Sequence, residues 1–455
     1  MKKLSLAVGI AAALLPRPAR AVDAFYWLME PPVVLASAPP TALLTVRVPA
    51  PLPTAVTFEP ATGTAPRPLT PLGADTWQIE IPPAELLFGY LPDDVNRNFV
   101  GRVRVTTGAG DSLLAIFANV FDAQIPPVGV RTLAPDVRCS PHVVNVVLRG
   151  ADPLGTTSAE ESALRRQAIR RLYQLFPDRY DMVNVVLALP RRTENRSHFG
   201  VKNQVTGIGL PVFDNTASYG SAGRLLGVNQ FPLDDFFDLT EGGVHEIGHQ
   251  WINFLHQPLL AAGVPHWPPS DMAHDVMGFS IGGPGGQGGT FGFVLVFQSP
   301  GQYLVQASPV TREYSSLDLY LMGLLPPASV PPFVVTTAPI GDIVHGAIVP
   351  GTVVTVDEVI ASDGPRVPPA APSMSLKTAT IVITRQRPLT RAEMAFYDYF
   401  AARGESTVPV PFSLGFAKGT AKPFAVATRG MGSLDAKVEC PLPRPAPRTP
   451  PPSIR

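Results

Sequence analysis

Proline recurs so often along this 455-residue chain that long helices and long unbroken strands have little room to form. Its 53 prolines and 39 glycines make up about a fifth of the residues, against roughly 12% in average usage. Such a chain must build itself from many short elements joined by turns. It is nonetheless 45% hydrophobic and only 16% charged, which is enough apolar material for a buried core. The length implies two to four domains. Basic and acidic side chains balance at 36 each, so the concentrated basic surface that nucleic-acid binding needs is not expected.

The first residues read as a secretory signal. Lys2 and Lys3 give a positive start, Leu4 to Leu15 is apolar, and Ala19-Arg20-Ala21 has the small-x-small form of a cleavage site. The apolar run is too short for a bilayer core that needs about 20 residues. A cleaved signal over 1–21 therefore predicts a secreted or periplasmic protein without stable membrane insertion. In an oxidising compartment Cys139 and Cys440 could form a disulfide, or they could be two separate buried thiols. Neither has a second cysteine at zinc-ligand spacing.

Residues 22–137 carry short runs rich in Val, Ile, Thr and Phe, namely Leu43 to Val48, Thr76 to Ile81, Phe99 to Thr106 and Leu113 to Val120. Turn residues separate them, which predicts an antiparallel β-sandwich in an accessory role. The pattern changes near 138. His142 to Leu148 and Met182 to Leu189 read as buried strands, with a helix between them that starts at Ser158 and stops before Pro177. The fold class expected is α+β: the sandwich, then a mixed α/β domain over 138–330 and an α+β region over 331–440 packed on it. Within these, Ser316 to Met322 and Thr390 to Arg403 read as helices. The stretch 281–290 reads as a glycine-rich turn or flap, and 441–455 as a disordered proline-rich tail.

The segment His245-Glu246-Ile247-Gly248-His249 carries the chemistry. On a helix, side chains four apart lie one above the other, so the two imidazoles can share one Zn²⁺. Glu246 between them is then placed to take a proton from water and return it to a leaving amine. Thr240 is a candidate N-cap for this helix. Five of the eight histidines fall between 245 and 274, a clustering that a metal site predicts.

HEIGHQW resembles the active-site helix of the zincin metallopeptidases, and the strand–helix–strand order before it resembles their upper subdomain. With PHWPPSDMAHDVMG and YSSLDLYLMGLLPP, the chain over about 90–430 looks like a group of secreted bacterial gluzincin- or aspzincin-like proteins. The resemblance implies a zincin-like catalytic domain and a zinc peptidase, but no particular substrate. A catalytic zinc needs a third protein ligand. The metzincin pattern fails, because Ile252 and Leu255 stand where it needs Gly and His. A gluzincin or aspzincin arrangement takes an acidic ligand from a later helix, and Asp318 is the residue expected to fill it; His266, Asp271, His274 and Asp275 are the alternatives. His266, Tyr314 and Tyr320 are candidates to stabilise an oxyanion.

The function expected is peptide-bond hydrolysis with His245, His249 and Asp318 on zinc and Glu246, His266 and Tyr320 in catalysis. The partner is then a protein or peptide substrate. A non-catalytic surface-binding protein on the same scaffold, a structural zinc site in an adhesin, and a hydrolase of non-peptide amides or esters are the competing readings.

Overall fold

The computed structural model describes residues 26–48, 52–91, 96–122, 124–149, 158–188, 191–192, 196–232, 239–261, 266–278, 292–414 and 417–441. The signal segment, the glycine-rich stretch 281–290 and the tail from 442 onward lie outside them. The fold is α+β with several β-sheets.

Two five-stranded sheets near the N-terminus face each other across one apolar core. The first orders Arg191–Arg192, Tyr26–Glu30, Ala42–Arg47, Thr76–Ile81 and Thr70–Pro71, and the second orders Val33–Leu35, Gly110–Phe121, Asn96–Thr107, Ala55–Pro60 and Arg67–Pro68. Along Ala42–Arg47 burial alternates residue by residue, as it must when one face of a strand meets the core and the other meets water. Leu44, Val46 and Ile81 from one sheet meet Phe58, Val103 and Ile116 from the other. One pairing departs from the antiparallel expectation. The chain changes sheets at Pro31-Pro32, so Val33–Leu35 enters the second sheet parallel to Gly110–Phe121.

The larger sheet orders Arg131–Ala134, Val137–Cys139, Val143–Val147, Met374–Thr384, Met182–Leu187, Gly227–Pro232 and Ser197–Gly200, with Gly432–Asp435 pairing to the Met374–Thr384 strand. Its four middle strands are mutually parallel. All six residues of Met182–Leu187 are buried, because both faces of a parallel sheet are covered. The helix Ser158–Leu175 covers one face through Leu164, Ile169 and Leu172. The helix Arg391–Ala402 covers the other through Met394, Phe396 and Tyr397.

Two boundaries move. The sheet takes in the strand Arg131–Ala134 and the start of Val137–Cys139, in a stretch up to 137 that was expected in the sandwich. Met374–Thr384 runs between the two strands of the expected strand–helix–strand unit, so the region after 330 completes this sheet instead of only packing on it. Cys139 and Cys440 form a disulfide across 301 residues of chain, which fits an oxidising compartment. No helix among the described residues is long and apolar enough to cross a membrane.

Candidate metal centre

The strand Gly227–Pro232 is followed in the chain by the helix Leu239–Gly248. Thr240 lies inside the first turn of that helix and is not its N-cap. The helix ends at Gly248, and His249 opens a tight turn held by Trp251 N and Ile252 N donating to Gly248 O. The four-residue spacing still brings the rings together, with centroids 4.8 Å apart. Val244, Ile247, Trp251 and Ile252 turn into an apolar core with Trp267, Met277 and Tyr314. Gly248 makes this approach possible. A Cβ there would stand 2.6 Å from Met277 Sδ and 3.0 Å from Tyr314 Cε1, too close for any larger residue without displacement.

A third imidazole completes the group. His245 Nε2 lies 3.1 Å from His249 Nε2 and 3.1 Å from His266 Nε2, and the three ligand atoms fall within 4.8 Å of one another. His245 Nδ1 donates to Val276 O at 2.8 Å, which leaves the lone pair of Nε2 directed at the other two rings. A tetrahedral zinc with bonds of about 2.0–2.1 Å sets its nitrogens about 3.3 Å apart, so the spacing fits such an ion. Burial, then the charge of Arg196 and His266, lowers the His245 pKa to about 3. Burial first and the Arg196 charge after it also hold His266 below its ordinary value, and burial with the neighbouring imidazoles does the same for His249. All three therefore stand neutral, as metal ligands must.

Asp318, expected as the third ligand, stands outside the group. Its Oδ1 accepts from Trp267 Nε1 at 2.8 Å and its Oδ2 accepts from Ser315 N at 2.9 Å, closing a capping box on the helix Ser316–Met322. Burial raises its pKa to about 7 against the opposing Trp267 hydrogen bond. Its carboxylate holds the indole next in sequence to His266, so it fixes the loop that carries the third imidazole. Tyr314 is buried with its hydroxyl donating to Val244 O, which ties the segment just before the same helix to the site helix. Tyr320, expected in catalysis, faces elsewhere: its hydroxyl accepts from Arg366 N at 3.2 Å.

The remaining alternatives are also engaged elsewhere. Asp271 accepts from Leu295 N and Val334 N, Asp275 accepts from Thr311 Oγ1, and His274 Nε2 lies 3.5 Å from Asp275 Oδ1. Glu246 is 3% exposed, and Arg196 Nε lies 3.3 Å from its Oε1. Arg196 was not among the expected residues; a lone arginine in a polar stretch gives no spacing signal. Nor was His198, on the edge strand Ser197–Gly200, whose Nδ1 lies 2.8 Å from Asn229 Oδ1. Burial lowers the His198 pKa to about 4 despite that hydrogen bond. Gly227 lets it in, since a Cβ there would stand 2.4 Å from His198 Cε1.

No family model matches this chain, and neither does any curated protein or solved structure with which it was compared.

Proposed function

We propose that this protein is an exported zinc-dependent hydrolase of peptide bonds with a zincin-like catalytic domain. One observation carries the reading: three imidazole Nε2 atoms from residues 245, 249 and 266 converge at metal-ligand spacing, with the buried carboxylate of Glu246 on the same helix. Three neutral nitrogen ligands with one position left open are the donor set of catalytic zinc, whereas structural zinc sites are closed, often by cysteine. The only two cysteines are joined to each other. Bound here, zinc would supply Lewis acidity, lowering the pKa of a water and polarising a carbonyl. His245, His249 and His266 are the residues that would hold it. Glu246 takes the proton of the attacking water and later gives it to the leaving nitrogen. The signal-like start of the sequence and the disulfide support export.

The Glu246 carboxylate favours this reading over a purely binding role, because burying a charge is costly and a scaffold without chemistry gains nothing from it. The test is Glu246→Gln. It should retain zinc in elemental analysis while its rate of casein hydrolysis falls by about 10²–10⁴, and chelation should abolish hydrolysis by the unaltered protein. Full turnover in Glu246→Gln would overturn the assignment.

A further inference from the structure

Resting on the hydrolase reading, we propose that Arg196 is a further catalytic residue, the cation that stabilises the oxyanion formed when the substrate carbonyl is attacked. Three observations lead there. Acyl transfer requires a donor aimed at the developing charge, and the two tyrosines expected to supply it are engaged elsewhere, Tyr314 with Val244 O and Tyr320 with Arg366 N. His266 belongs to the imidazole trio. Arg196 Nε lies 3.3 Å from Oε1 of Glu246, which stands between the two site histidines in sequence. Its side chain keeps 29% of its surface accessible, while that of Glu246 keeps 4%. The guanidinium therefore spans from the buried base towards the side from which a substrate can arrive. It immediately precedes Ser197–Gly200, the edge strand that pairs with Gly227–Pro232.

The pairing with Glu246 gives the step its timing. As the water oxygen bonds to the carbonyl carbon, the π pair moves to the carbonyl oxygen and one water proton passes to Glu246. Glu246 is then neutral and holds Arg196 less strongly, at the moment when a new negative charge forms beside it. Arg196 turns its donors to that oxygen. The C=O bond then re-forms, the C–N bond breaks, and Glu246 delivers its proton to the leaving nitrogen while Arg196 regains its carboxylate partner.

The test uses the full zinc-loaded chain with Arg196→Gln and Arg196→Lys. Zinc content is measured first, then casein hydrolysis across substrate concentration, then binding of inorganic phosphate as an oxyanion probe. Arg196→Gln should keep its zinc, lose about 10²–10³ in kcat with little change in KM, and bind phosphate at least about tenfold more weakly. Arg196→Lys should recover part of both. Glu246→Gln, which removes the competing carboxylate, should bind phosphate at least as well as the unaltered chain. A zinc-loaded Arg196→Gln with unaltered kcat, or with its loss confined to KM, would overturn the role; so would phosphate binding that ignores Arg196. An unaltered chain that binds no zinc would overturn the hydrolase reading and this role together, and that failure shows before any substitution is made.

Discussion

The sandwich core and the surroundings of the site helix bury different kinds of polar group. In the sandwich, the buried amides serve the chain itself: Asn98 donates to Leu86 O and Phe88 O, and Asn119 donates to Pro32 O. Around the site helix, the buried set is Glu246, Gln250, Asp318 and Asn229, beside a half-buried His198. Burying such groups costs stability unless every one is satisfied. The sandwich interior thus holds the fold together, whereas on the hydrolase reading proposed above the site interior spends some of that stability on placing the imidazoles and the carboxylate.

If this contrast holds, the largest single effect should come from the third imidazole. His266→Ala should cut zinc affinity by more than the 10–100-fold typical of losing a supporting residue, with little change in folding stability, as read by competition with a chromogenic chelator and by thermal melting. Asp318→Asn should stay within that 10–100-fold range, because it loosens Trp267 without removing a ligand. Equal losses in the two variants would return Asp318 to the metal and break the assignment made from the geometry.

How much of this could be read from the chain depends on how local the cause is. The pair His245 and His249 is a one-turn relation, and the capped helix Ser316–Met322 is equally local, so both show in the sequence. His266 arrives through a loop 21 positions from His245, among four other candidate ligands that the sequence cannot separate. Asp318 misleads for a physical reason: a first-turn carboxylate is favoured as a capping group whether or not a metal is near. Met374–Thr384 pairs with residues more than 180 positions away on either side. Pairing at that distance leaves no periodicity to find, so the strand's central place was not legible. The sandwich strands, by contrast, announce themselves by alternation over a few residues.

Stability changes should come mainly from groups away from the site, in the sandwich core and at the disulfide of the larger sheet. Phe58→Ala removes a ring with no exposed surface from the sandwich core, and should cost about 3–5 kcal/mol in denaturant unfolding while leaving zinc affinity within about twofold. Replacing Cys139 and Cys440 together by Ser should cost about 2–5 kcal/mol, since the bond closes a very long loop of the unfolded chain. A large fall in zinc affinity in Phe58→Ala would mean that the sandwich core and the surroundings of the site helix are coupled, and the contrast between them would fail.

The smallest effect probes a half-buried polar pair that belongs to neither group. His142 Nδ1 lies 2.9 Å from Asp398 Oδ1, and its backbone amide donates to Asp398 Oδ2, joining the larger sheet to the helix Arg391–Ala402. Burial pulls the imidazole pKa down and Lys437 adds to that, but the Asp398 hydrogen bond and charge, with Glu405 behind them, raise it overall. A raised folded-state pKa means that the folded chain holds this proton more tightly than the unfolded chain does. The contribution is therefore fully present below about pH 6.5, the unfolded value, and fades as pH rises through the folded value. Unfolding measured across pH should show the unaltered chain ahead of His142→Gln by about 1 kcal/mol or less at pH 5.5, with the gap narrowing towards pH 9. The sign is what matters here: a gap that widens with pH would mean that burial outweighs Asp398, and that this pair too is held at a cost.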